Sequence, residues 1–107
     1  MTELLYKLIF YVPMPWIEPV KTAVFTAGAG NYGEYDQCCW QTMGVGQFRP
    51  SHNSNPAIGD KNQLTHVAEY RVETIVAQSN IHQVVAALKQ AHPYEEVAFD
   101  IIQLVDL

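Results

Sequence analysis

The stretch that decides the fold opens with Gly28-Ala29-Gly30-Asn31-Tyr32-Gly33 and closes with Gly44-Val45-Gly46-Gln47-Phe48-Arg49-Pro50, with a polar and aromatic run through Trp40 between them. Glycine reaches backbone angles closed to other residues and lets a neighbouring chain or ligand come close. Two such clusters in a small domain mark turns flanking one strand. Tyr35 to Val45 shows no helical period and reads as that strand, more exposed than its neighbours, with Gly44 and Gly46 expected to loosen its end or form a bulge.

Upstream, Leu4 to Val12 is a nearly continuous apolar and aromatic run broken only by Lys7, the pattern of a central strand covered on both faces. Pro13 ends it. Val20, Ala23, Val24 and Ala27 then recur at helical spacing, Pro15 and Pro19 fit the helix start, and Gly28 sits where a helix terminus favours a left-handed residue. Downstream, Arg49 to Gln63 is turn chemistry throughout, a loop long enough to be functional or buried in an oligomer contact.

From Leu64 a third strand alternates, with Ala68, Tyr70, Val72 and Val76 on one face and Glu69, Arg71 and Glu73 on the other. Asn80 and Gln83 resemble a capping box for a second helix carried by Ile81, Val84, Val85, Leu88 and Ala91. Pro93 stops that helix, and Val97 to Ile102 is the fourth strand. The order predicts an α+β, ferredoxin-like βαββαβ domain: a four-stranded antiparallel sheet with two helices on one face. Residues 1–107 form one domain, and the helix-free face calls for solvent or another subunit.

Composition narrows the function. A net charge of −5 with only six Lys and Arg opposes a phosphate-tracking surface, which excludes nucleic acid. The first apolar run has no basic n-region and is cut by Pro13 and Pro15, so neither a signal peptide nor a membrane span is expected, and the location read is cytoplasmic. A charged fraction of 16% is low for a fully exposed monomer and points to a homo-oligomer. Cys38 and Cys39 are adjacent, face opposite sides of a strand and lack a second pair to complete a thiolate site, so they read as free packing thiols.

The ordered set Gly28-Ala29-Gly30, Gly44 to Pro50, Asn55-Pro56, Gly59, Glu73-Thr74 and His92-Pro93-Tyr94-Glu95-Glu96 resembles the CutA/PII-like domain inserted in bacterial Nif-three-like proteins, from Leu5 to Leu104. The chain resembles that insert as a stand-alone unit. In the full-length family the dinuclear metal site, and the similarity to a GTP cyclohydrolase, lie in the flanking domains, so those ligands have no counterpart here. The family's Gly-Ala-Gly-His is Gly-Ala-Gly-Asn31 here, which removes a titratable ligand. The resemblance to CutA and PII implies a trimer, with a dimer as runner-up, and a role in divalent-ion tolerance or nucleotide-sensing regulation.

Candidate sites follow. His92 in a last helical turn before Pro93 is favoured by the helix dipole alone; in a second reading His92, Glu73, Glu95 and Glu96 hold a divalent metal ion. Arg49 beside glycine-rich amides either ties down its loop or, with Gly28, Gly30, Asn31 and Gly46, binds a small anionic or metal-chelated ligand in a cleft between subunits. His52 and His66 show no ligand spacing. No nucleophile with an adjacent base and no P-loop are present. The reading is therefore a non-catalytic, oligomeric ligand- or ion-binding regulatory module of CutA/PII type. The alternative is an enzyme or accessory subunit of a nucleotide-related, GTP cyclohydrolase-like, metal-dependent hydrolase.

Overall fold

The computed structural model describes residues 3–107. Strand β1 (Leu5–Pro13) is central: it pairs antiparallel with β3 (Thr65–Ala77) on one edge and with β4 (Phe99–Gln103) on the other. Strand β2 (Cys39–Phe48) pairs antiparallel with the far edge of β3, which gives the order β2-β3-β1-β4. Helix α1 (Ile17–Thr26) links β1 to β2, and α2 (Ile81–Ala91) links β3 to β4. This is the expected ferredoxin-like α+β arrangement.

Residues opposite each other across an antiparallel pair share a face. Leu8 lies opposite Thr74 and Phe10 opposite Val72, so Leu8, Phe10 and Val12 turn to the same side as Val72, Thr74 and Val76. Val20 and Val24 of α1 and Val84 and Leu88 of α2 complete that cluster, which puts both helices on one face. Thr74 is the buried polar member, and its hydroxyl donates to the Cys38 carbonyl at 2.7 Å. That bond removes the cost of an unpaired hydroxyl in the core. Among the described residues no helix is long and apolar enough to cross a membrane.

Several boundaries differ from the sequence reading. Strand β2 begins at Cys39 and not Tyr35, because Tyr32 and Tyr35 close a tight turn on each other through backbone bonds of 2.8 and 3.0 Å. The strand runs through both glycines without a bulge, in unbroken register from Cys39↔Thr74 to Phe48↔Thr65. Gly46 serves a different need: the Glu69 side chain lies across it, where a Cβ would stand. The capping box is not formed either. Asn80 makes no side-chain bond to the α2 backbone, while Gln83 Nε2 donates to the Ala27 carbonyl at 2.6 Å and so ties the start of α2 to the end of α1. Strand β4 starts at Phe99, two residues after the expected Val97.

β1 pairs with β3 only from Glu69 onward, so residues 65–68 and 45–48 project beyond it as a two-stranded arm. The molecule is accordingly elongated, 50 by 24 by 24 Å. At the opposite end, Gly28 (φ +119°) closes α1 as expected, and Gly30 (φ +86°) docks the turn on the sheet. The Gly30 amide donates to the Ile75 carbonyl at 2.7 Å, and its own carbonyl accepts from the Cys38 amide at 2.8 Å. A Cβ on Gly30 would stand 3.0 Å from the Phe25 ring and from the Cys38 nitrogen. Backbone strain and this crowding act together, so Gly30→Ala is expected to lower stability by about 1–3 kcal/mol. Urea unfolding checks this; a wild-type midpoint would show that the turn tolerates a side chain.

Candidate functional site

The long loop after β2 does not hang free. It folds back so that the Asn55 amide donates to Glu95 Oε2 at 2.7 Å, across forty residues of sequence. Its base is closed by the Asn62 amide on the Pro50 carbonyl at 2.6 Å, with Asn62 itself at φ +65°. Between this loop, the end of β2 and the connection from α2 to β4 lies an open pocket of about 460 Å³. Phe48, Pro50, Pro56 and Ile58 give it apolar walls, Tyr94 an aromatic one, and Arg49, Glu69, Glu95 and Glu96 its charges.

The wall from α2 to β4 is fixed by a hydrogen-bonded series. His92 is 6% exposed; its Nε2 lies 2.6 Å from the Tyr11 carbonyl and its Nδ1 accepts from the Tyr94 amide at 3.1 Å. Two such partners select one neutral tautomer, with the proton on Nε2. The Tyr94 hydroxyl then donates to Glu69 Oε2 at 3.0 Å, and its ring meets that of Phe48 edge-on, centroids 5.8 Å apart. Burial, then the charge and hydrogen bond of Glu69, push the Tyr94 phenol pKa up, so it remains a donor. The absent Cβ of Gly46 is what lets Glu69 lie where Tyr94 reaches it.

The candidate residues divide into two groups at opposite ends of the sheet. Arg49, Glu95 and Glu96 meet at the pocket, and Gly46 supports it through Glu69. Gly28, Gly30 and Asn31 sit by Ile75, near the far end of β3, roughly 20 Å along the strand from Glu69 at the usual rise per residue. Within one chain they line no common cleft with Arg49. Glu73 lies mid-sheet on the helix-free face, paired with Lys7 at 3.2 Å and Arg71 at 3.4 Å. His92 has both ring nitrogens engaged, and no group of three His, Cys, Asp or Glu side chains positioned to hold a metal occurs among the described residues. The set Glu73, His92, Glu95 and Glu96 therefore does not fit a metal ion within one chain.

Sequence reasoning missed Phe48, Glu69, Pro56 and Ile58 as pocket residues. Glu69 reads as an ordinary strand position and Phe48 as part of the glycine turn after the second strand, and only the fold-back of the loop brings them together. Cys38 and Cys39 are free thiols as expected, but Cys39 is exposed and Cys38 is half-buried just before β2, so they are not a pair of packing residues within the strand.

No family model matches the chain. The GTP cyclohydrolase 1 type 2 homolog of Halalkalibacterium halodurans is 42% identical over 105 residues, covering 98% of this chain and 28% of that protein. A Bacillus cereus protein related to NIF3 superposes at a TM-score of 0.84 with 37% identity, over 99% of this chain and 27% of the other. The chain has the CutA/PII-like fold and is similar to one segment of the NIF3-type proteins. CutA from Archaeoglobus fulgidus (TM-score 0.66, 11% identity, 94% of this chain and 83% of that one) shares the fold. So does GlnK of B. subtilis, solved as an ATP complex (TM-score 0.64, 10% identity, 97% and 84%). The domain spans about a quarter of the length of the curated relatives it matches.

The His92 geometry carries a pH prediction. Burial holds its pKa below the ordinary imidazole value of 6.5, against a smaller opposing effect of the Tyr11 bond. Neutral His92 is thus favoured by the fold. Its contribution is complete above the unfolded value and is lost as pH falls from there through the folded value, since the unfolded chain takes up the proton first. Urea unfolding at pH 7.5 and 5.5 is expected to show lower stability at the acid value, and His92→Gln a smaller difference between the two; equal differences would place the pH dependence elsewhere.

Proposed function

We propose that this domain is a non-catalytic, oligomeric binding module that takes a small ligand in the pocket between the 49–64 loop and the α2–β4 connection. The observation that carries the reading is the construction of that pocket. A loop of turn residues is closed back onto Glu95, and the opposite wall is held by the buried His92–Tyr94–Glu69 series. So much hydrogen bonding around an otherwise open cavity supports preorganised recognition. The activity named for the longer relatives belongs to proteins about four times this length.

Native mass spectrometry of the purified protein tests the reading: a retained small molecule is expected, and Ala57→Trp and Ala98→Trp, both exposed wall positions, should each expel it with the circular dichroism unchanged. Retention by both filled variants would move the site elsewhere.

The oligomer rests on the sheet. Strand β2 is a ten-residue edge without a charged residue or a proline, the devices that usually keep edge strands apart. Trp40 on the helix-free face is 60% exposed, and Ile102 on the same face is 49% exposed. A closed homo-oligomer covers all of these, and a trimer is the form we propose. Light scattering should give a mass near three times 12.1 kDa at micromolar concentration, and Trp40→Glu should lower it; a monomer in the wild type would refute assembly through this face.

A further inference from the structure

The pocket's own charges go further than its shape. Three carboxylates, Glu69, Glu95 and Glu96, face it against the single guanidinium of Arg49, within a chain of net charge −5. Two of the three are already positioned. Glu69 holds one oxygen on the Tyr94 hydroxyl and lays the other against Gly46, while Glu95 holds one on the Asn55 amide and keeps its second for a guest. The apolar side is equally specific: the Phe48 and Tyr94 rings meet edge-on, with Pro56 and Ile58 also lining the cavity. Aromatic faces beside fixed carboxylates are what hold a desolvated organic cation, through the ring quadrupole and charge-assisted hydrogen bonds. A polyphosphate would meet the opposite field, with one cation to receive it and three like charges against it.

We infer that the pocket between the 49–64 loop and the α2–β4 connection takes an alkylammonium or guanidinium group carried on an apolar stem, and discriminates against nucleotides and other polyanions. This deepens the binding-module reading and rests on it. Glu96 has no hydrogen bond to the rest of the chain among the described residues and is the freest carboxylate for the cation. Arg49 opposes the guest and helps set how tightly it binds. The same group occurs in a free amine and in a Lys or Arg side chain of a polypeptide.

Amide chemical-shift titrations at physiological salt test this, with n-butylammonium, spermidine, an N-acetyl-lysine amide, ATP and acetate as probes. The alkylammonium probes are expected to shift Phe48, Glu69, Tyr94 and Glu96, and ATP and acetate to leave them in place. Tighter binding of the lysine amide than of spermidine would assign the guest to a polypeptide, and the reverse to a free amine. Glu96→Gln should weaken butylammonium about two- to fivefold, the range of a partly exposed ion pair, Arg49→Ala should tighten it by a similar factor, and Glu18→Gln on α1 should leave it unchanged. ATP or acetate binding at these residues, or equal effects of Glu96→Gln and Glu18→Gln, would overturn the inference. If the Ala57→Trp and Ala98→Trp variants still expel a retained ligand in that case, the pocket stands as a site and only its cation preference falls. If they do not, the binding-module reading falls with it.

Discussion

The register between β1 and β3 is the constraint on which the rest depends. With Leu8 opposite Thr74 and Phe10 opposite Val72, every large apolar side chain of even number in β1 faces the helices, and Lys7, Ile9 and Tyr11 face away. A slip by one residue would exchange those sets and place Glu69, Arg71 and Glu73 in the core, so the burial energy of one face fixes the pairing. The register also fixes where chemistry can occur. Because β1 leaves β3 at Glu69, the hairpin arm and the pocket begin where the central strand ends, while the glycine turn closes the other end by docking on Ile75.

What could be read from the sequence follows the same physics. β1, β3 and both helices were legible because burial on a regular face imposes a period, and Val20, Val24, Val84 and Leu88 fall where the helical spacing puts them. β2 was less so: with Trp40, Met43 and Val45 all exposed, no face of it is filled within one chain, and its start is set by the Tyr32–Tyr35 turn. Asn80 and Gln83 had the spacing of a capping box, but the tertiary offer of the Ala27 carbonyl at 2.6 Å was better than the local one. Arg49, Glu95 and Glu96 were legible as site candidates through residue type and neighbouring turns. Phe48 and Glu69 were not, since their role comes from a loop whose closure onto Glu95 spans forty residues.

His92 shows how residue type and spacing mislead when the partner is far away in sequence. A histidine before a proline at a helix end invites either a dipole argument, which wants it charged, or a ligand argument, which wants a nitrogen free. The structure satisfies neither. The ring is buried, neutral in its favoured state, and uses both nitrogens to join the Tyr11 carbonyl on β1 to the Tyr94 amide. Its value is positional: it sets Tyr94, and Tyr94 in turn sets Glu69.

That series reaches the pocket and the open sheet face through the same strand. Glu69, Arg71 and Glu73 alternate along β3 on the helix-free side, with Glu69 lining the pocket and Arg71 and Glu73 in the polar centre of the sheet. A subunit laid over that face would desolvate Arg71 and Glu73 within two and four residues of Glu69, and the lower local dielectric would strengthen every charge interaction nearby. Glu69 would then attract a cation in the pocket more strongly than it does in a free chain. Linkage makes the relation mutual, because a guest that binds the assembled form more tightly must favour assembly by the same factor.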